Sequence, residues 1–167
     1  MSGSLHAGYS RRDLESLAER EGVLSGELQL SKLTRLVGML HSDAGSVRAS
    51  LKFGQWRAGG LQVELTYAAA VEFTCQRCLE PFRHELAGRV NVVLVNAGST
   101  PDTVPEGYEP FELADGRFSP AELIEDELIV SMPLAPKHER LADCGSVARS
   151  LVAATEGSGA TAGAAEQ

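Results

Sequence analysis

Aromatic residues are scarce in this chain, 5% of 167 positions with Trp56 the one tryptophan, and cysteine is scarcer, limited to Cys75, Cys78 and Cys144. Three thiols at such uneven spacing argue against a disulfide framework and point to a reducing compartment. No apolar run approaches the ~20 residues that a membrane-spanning helix needs, so no membrane association is expected. Arg11, Arg12, Asp13 and Glu15 lie where a secretory leader would hold its apolar core, so no signal peptide is expected. Positive charge is in deficit, with 15 Lys and Arg against 23 Asp and Glu and a net charge of −8. Coating nucleic acid nonspecifically requires cations that neutralise phosphates, and the chain as a whole lacks that surplus. The deficit is local: residues 96–143 hold 11 acidic side chains against three basic, whereas residues 1–60 hold eight basic against six acidic. No G-x-S-x-G, P-loop or H-E-x-x-H motif is present, and His6, His41 and His84 have no recognisable catalytic partner. No catalytic residue and no small-molecule substrate are therefore indicated.

What is present is enough apolar material, 43% of residues, for one globular core. Val47, Ala49, Leu51 and Phe53 alternate with polar neighbours, as do Leu61, Val63, Leu65 and Tyr67, which is the period of strands with one wet face. Residues 23–30 and 82–96 read as further strands, with Gly88 a candidate bulge, and 108–113 as a short one. Helices are expected over part of 11–20, over 32–41 with Ser31 as cap, and after Ser119-Pro120, where a cap, a first-turn proline and acids coincide. This pattern predicts an α+β fold: a mostly antiparallel sheet of five to seven strands, twisted or barrel-like, with two or three helices. Residues 1–154 form one domain in this reading. Residues 155–167, nearly all Gly, Ala, Ser and Thr, form a disordered tail.

The sharpest local motif is Cys75-Gln76-Arg77-Cys78, at a turn between two predicted strands. Two thiols spaced by two can share a metal ion, and His138 and Cys144 are the downstream donors that would complete a four-ligand zinc site, C-x2-C and H-x5-C. The pairs are separated by 59 residues, so only the fold could join them. On spacing alone the favoured reading is a metal-free turn, with zinc the alternative. A redox dithiol fits less well, because such motifs open a helix in a βαβ setting. Glu122, Glu125, Asp126 and Glu127 read as a solvated acidic helix face. Arg83 and Arg89 lie six apart in one strand and point to the same side; with Arg48, Lys52 and Arg57 nearby they suggest a modest basic face, or else an ordinary mixed-charge one.

Taken in order, Ser25-Gly26-Glu27-Leu28, then Cys75-Gln76-Arg77-Cys78-Leu79-Glu80-Pro81-Phe82, Tyr108-Glu109-Pro110, Leu123-Ile124-Glu125-Asp126-Glu127-Leu128-Ile129 and Pro133-Leu134-Ala135-Pro136-Lys137-His138 with Cys144 resemble the bacterial YceD family, the large ribosomal RNA subunit accumulation proteins. The resemblance spans about residues 5–150. It implies a cytoplasmic, noncatalytic ribosome-biogenesis factor that supports synthesis, processing or stability of large-subunit (23S) ribosomal RNA. An rRNA-processing enzyme or metal-dependent nuclease is the alternative. The motif positions it marks are Cys75, Arg77, Cys78, Glu125, Asp126 and Glu127. The partner is expected to be ribosomal RNA or a ribosome-assembly protein, with Arg77, Arg83 and Arg89 as candidate contacts. Some relatives carry further cysteines near the C-terminus, where this chain has His138 and Cys144.

Overall fold

The first described element, strand β1 (Tyr9–Ser10), runs directly into helix α1 (Arg11–Glu19), which begins with a capping box: the Ser10 hydroxyl accepts from the Asp13 amide, and the Asp13 carboxylate accepts from the Ser10 amide at 2.8 Å. Leu14, Leu17 and Ala18 form its buried stripe. The structure, a computed structural model, describes residues 4–56, 60–98, 104 and 106–157. Strand β2 (Val23–Gln29) follows, then a 3-10 turn (Leu30–Lys32) and helix α2 (Thr34–Val37). Three long strands come next: β3 (Ser46–Trp56), β4 (Gly60–Thr74) and β5 (Pro81–Asn96). Their inward residues alternate as expected, with Val47, Leu51, Phe53, Val63 and Leu65 fully buried. Each such side chain contributes roughly 1.5–3 kcal/mol of apolar burial. The remaining elements are β6 (Glu109–Leu113), β7 (Arg117–Phe118), helix α3 (Pro120–Ser131), a 3-10 turn (Leu141–Asp143) and helix α4 (Ser146–Gly157).

The main sheet has the order β2-β3-β4-β5-β6, and a separate ribbon pairs β1 with β7. The α+β architecture is as the sequence pattern predicts, with four helices. The sheet stays open and is not a barrel: β6 adds to β5 in parallel, over Val92↔Glu109 to Asn96↔Leu113 only, and does not return to β2. Three further expectations are corrected. Gly88 is not a bulge, since β4 and β5 stay in register from Leu61↔Leu94 to Thr74↔Pro81. Gly88 faces Tyr67, and a Cβ there would meet the Tyr67 hydroxyl at 2.5 Å, so glycine makes room for that ring. The Tyr67 hydroxyl then donates to the Glu127 carbonyl of α3 at 3.3 Å. Helix α2 spans four residues, not ten, and Ser31 does not cap it. Its first amides, those of Arg35 and Leu36, donate instead to the Glu125 carboxylate on α3, at 2.7 and 3.1 Å. Helix α4 lies where no helix was expected and continues to Gly157, past the expected start of the tail; residues 158–167 lie outside the described residues, as does Arg57.

Two cores result. The main one joins α1, the sheet and α3. A satellite one holds Cys75, Cys144 and Ala148, with Cys78, Phe82 and Leu141 half-buried against it.

Candidate metal centre

The satellite core is built at the β4–β5 turn. The Cys75 amide donates to the Glu80 carbonyl at 2.9 Å and the Leu79 amide to the Cys75 carbonyl at 2.8 Å, closing a tight loop over residues 75–80. Leu79 takes the left-handed conformation at φ 62, a region that disfavours leucine, and its side chain is exposed. Proline at 133 ends α3, and the chain then crosses this turn as an extended strap. The Gln76 amide donates to the Pro136 carbonyl at 2.9 Å, and the Arg77 guanidinium donates to the His138 carbonyl. The Arg77 Nε is buried and has no partner among the described residues.

This crossing brings together the four donors that the sequence left 59 residues apart. The His138 Nδ1 lies 3.5 Å from the Cys78 Sγ and 3.6 Å from the Cys144 Sγ. One ligand atom from each of Cys75, Cys78, His138 and Cys144 lies within 4.8 Å of the other three. A tetrahedral ion with bonds of about 2.3 Å to sulfur and 2.0–2.1 Å to nitrogen sets sulfur–nitrogen edges near ~3.6 Å and sulfur–sulfur edges near ~3.8 Å. The donors therefore fit a four-ligand cation site with small movements, and the four residues could hold a metal ion.

The surroundings favour thiolate at one sulfur. Burial pushes the Cys75 thiol up, but the amides of His138, Cys78 and Arg77 and the His138 ring outweigh it, bringing the pKa down to about 5. Burial, then the neighbouring Cys78 and Cys75 sulfurs, drive Cys144 up to about 11. Without a cation, three negative sulfurs cannot share this space. A bound cation would remove that conflict and hold all three as thiolates.

The other residues singled out in the sequence lie elsewhere. Arg77 is half-buried and engaged with the strap. Arg83 and Arg89 are exposed on one sheet face, but each has a carboxylate: Arg83 pairs with Glu85 and Arg89 with Glu64. The cross-strand neighbours Glu27↔Arg48 and Lys52↔Glu64 repeat the pattern, so this face carries both signs. Among the acids of α3, Glu125 is buried rather than solvated. Its second oxygen lies 3.0 Å from the Arg35 guanidinium, which also reaches Asp126 at 2.6 Å. Glu127 is half-buried; burial, then the charges of Glu109 and Asp126, raise its pKa above the usual carboxylate value. His84 is half-buried, its ring 5.7 Å from that of Phe73. Sequence reasoning missed Phe82, whose ring lies 5.0 Å from His138 and backs the centre. Its place two residues before His84 on one strand face, beside the cysteine turn, was the available signal.

Fold and centre together define a small α+β protein whose C-terminal strap is gathered onto a β-hairpin tip by three cysteines and a histidine. The chain belongs to the YceD family: the family model for "Large ribosomal RNA subunit accumulation protein YceD" matches residues 63–166, a stretch that contains all four donors. It is also similar to the Large ribosomal RNA subunit accumulation protein YceD of Haemophilus influenzae, 38% identical over 69 residues, which is 41% of this chain. That match spans 40% of the relative's length. No solved structure matches. No helix among the described residues is long and apolar enough to cross a membrane.

Proposed function

We propose that this protein is a noncatalytic, cytoplasmic factor that supports the synthesis, processing or stability of large-subunit ribosomal RNA, acting through ribosomal RNA or a ribosome-assembly protein. The family match carries this reading, and the name of the Haemophilus influenzae relative points the same way. We further propose that Cys75, Cys78, His138 and Cys144 hold a structural zinc ion. Thiolate-rich donor sets select soft or borderline cations, and four protein ligands close a zinc site. With three thiolates, one neutral imidazole and a divalent cation the centre carries one negative charge, and the adjacent Arg77 offsets it. The separation that argued for a metal-free turn loses its force once the strap crosses the hairpin tip.

The alternative, a metal-dependent nuclease, fits this donor set poorly. Hydrolytic centres keep an open coordination position, and phosphoryl-transfer metals take oxygen ligands. The Cys3His group is the one gathering of three or more metal-ligating side chains among the described residues. The deciding experiment is depletion of the protein in growing cells, with both rRNAs quantified. Mature large-subunit rRNA should fall while small-subunit rRNA is spared. Equal loss of both, or of neither, would count against the role.

A further inference from the structure

The three sulfurs of the candidate metal centre are not held alike. All lie within 4.8 Å of one another, so any two would have to close by at most about 3 Å to reach the ~2.05 Å of a disulfide. Cys75 is the fixed one. It is fully buried, and its Sγ accepts from the Arg77 amide at 3.4 Å and from the His138 amide at 3.5 Å. Turning that side chain toward another sulfur would strand both buried donors, which is costly. Among the described residues no backbone amide donates to the sulfur of Cys78 or of Cys144. Each instead faces one and the same atom, the His138 Nδ1, from 3.5 and 3.6 Å. Without an ion between them, these two sulfurs can turn toward each other while the backbone ties of the turn and the strap stay made.

Access singles out the same pair. Cys75 and Cys144 are buried, and Cys78 is the half-buried cysteine. It sits in the tight loop over residues 75–80, next to the exposed Leu79. An oxidant arriving from solvent therefore meets Cys78 first, with a second thiol poised to displace it. That is the arrangement of a reversible thiol oxidation: an accessible sulfur beside a resolving cysteine.

We infer that the centre exchanges its zinc ion for a Cys78–Cys144 disulfide when it meets a hydroperoxide. The inference rests on the zinc reading above and adds to that site a response to peroxide. The Cys78 thiolate attacks one peroxide oxygen; an S–O bond forms, the O–O bond breaks and hydroxide leaves. The Cys144 sulfur then attacks the Cys78 sulfur; the S–S bond forms, the S–O bond breaks and a second hydroxide leaves. Two thiolates have lost two electrons, hydrogen peroxide has become two hydroxides, and the ion has lost two of its four ligands and departs. A dithiol reductant reverses the exchange. The choice of pair decides the fate of the strap. A Cys78–Cys144 bond keeps the strap on the hairpin tip after the metal has gone, whereas a Cys75–Cys78 bond would let it go.

Tryptic mapping tests the pairing, because Arg77 separates Cys75 from Cys78, and Arg83 and Arg140 separate Cys78 from Cys144. The zinc-loaded full chain is treated with hydrogen peroxide, its remaining thiols are blocked, and released zinc is read with a chromogenic chelator. Zinc and disulfide should appear together, one of each per chain, with residues 78–83 joined to 141–149. This product should exceed Cys75–Cys78 at least tenfold. In urea the preference should reverse, since the unfolded chain favours the shorter loop. Dithiothreitol with fresh zinc should restore the metal content. Cys75→Ser should still form the Cys78–Cys144 disulfide, and Cys144→Ser should carry Cys78 on to sulfinic acid instead. A folded chain that yields mainly Cys75–Cys78, zinc loss without a disulfide, or zinc retained under peroxide overturns the inference and leaves the zinc reading standing. A chain that takes up no zinc at the outset refutes that reading, and the exchange with it.

Discussion

Chelation should free the strap without unfolding the sheet. Of the described residues from Met132 onward, only Cys144 and Ala148 are buried, and both belong to the satellite core. Among the described side chains of α4 Ala148 alone is buried, while Val147 and Leu151 are exposed. The backbone ties are few, chiefly the Gln76–Pro136 bond and the Arg77 contact. Apolar burial therefore holds this segment weakly, and the proposed metal ion would do most of the holding. With the sheet and α3 still folded, a crosslink between Cys78 and His138 constrains only the stretch from Met132 to His138. Treated like a disulfide closing a loop of about seven residues, it removes about 2.4 kcal/mol of chain entropy from the opened state. At 1.4 kcal/mol per decade, loss of the ion should raise strap opening about fiftyfold. The main core, which uses none of the four donors, should stay folded. The assay is limited trypsin digestion with and without a strong zinc chelator. Cleavage should accelerate at Lys137, Arg140 and Arg149, with Arg48 and Lys52 in β3 still protected. Cys78→Ser should reproduce the pattern, together with loss of one zinc per chain by elemental analysis. Equal protection of the strap with and without chelator would refute the reasoning, as would simultaneous exposure of β3.

Other substitutions probe the frame around the centre. Glu125→Ala leaves the Arg35 and Leu36 amides without their acceptor and should cost about 2–4 kcal/mol in urea unfolding, with little of that from the half-exposed Arg35 pair. Gly88→Ala drives a methyl into the Tyr67 ring and should cost about 1–3 kcal/mol, part of it recovered in Gly88→Ala with Tyr67→Phe. Ser10→Ala removes the α1 cap and should cost about 1 kcal/mol by thermal melting. The Ser10 hydroxyl, and then its amide, hold the Asp13 carboxyl below its usual pKa. A lowered folded-state value contributes stability above the ordinary carboxylate pKa, about 3.9, that is lost as pH falls through the folded value, so Asp13→Asn should flatten the stability–pH curve below about pH 4.

The strands were legible because alternation is a local property. Val47 to Phe53 and Leu61 to Tyr67 declare their buried face within seven residues each, and Ser119-Pro120 marks a helix start just as locally. The parallel docking of β6 depends on contacts between residues 92–96 and 109–113, and alternation says nothing about them. Glu125 was misread because it sits in an acidic run. Yet it lies three residues from Leu128 and four from Ala121, on the apolar stripe of α3, and a carboxylate there needs donors. Helix α2 was overestimated because its apolar spacing continues past Val37, while Gly38 and the missing local cap end it after one turn. The candidate metal centre was legible as residue types but not as a place. The donors were named from the sequence, and the turn of the chain after Pro133 that aims His138 at Cys78 was not.

The long separation between the two donor pairs also has a temporal side. During synthesis Cys75 and Cys78 emerge about 60 residues before His138, an interval of ~3–12 s at ~5–20 residues per second. Over that time the antiparallel strands β2 to β5 can form, with the thiol pair waiting at the turn between β4 and β5. Coordination is completed only when Cys144 arrives, after every strand and α3 have been made. Capture of the proposed metal would then report on a nearly finished chain: a product truncated before Cys144 keeps every strand but lacks the fourth donor.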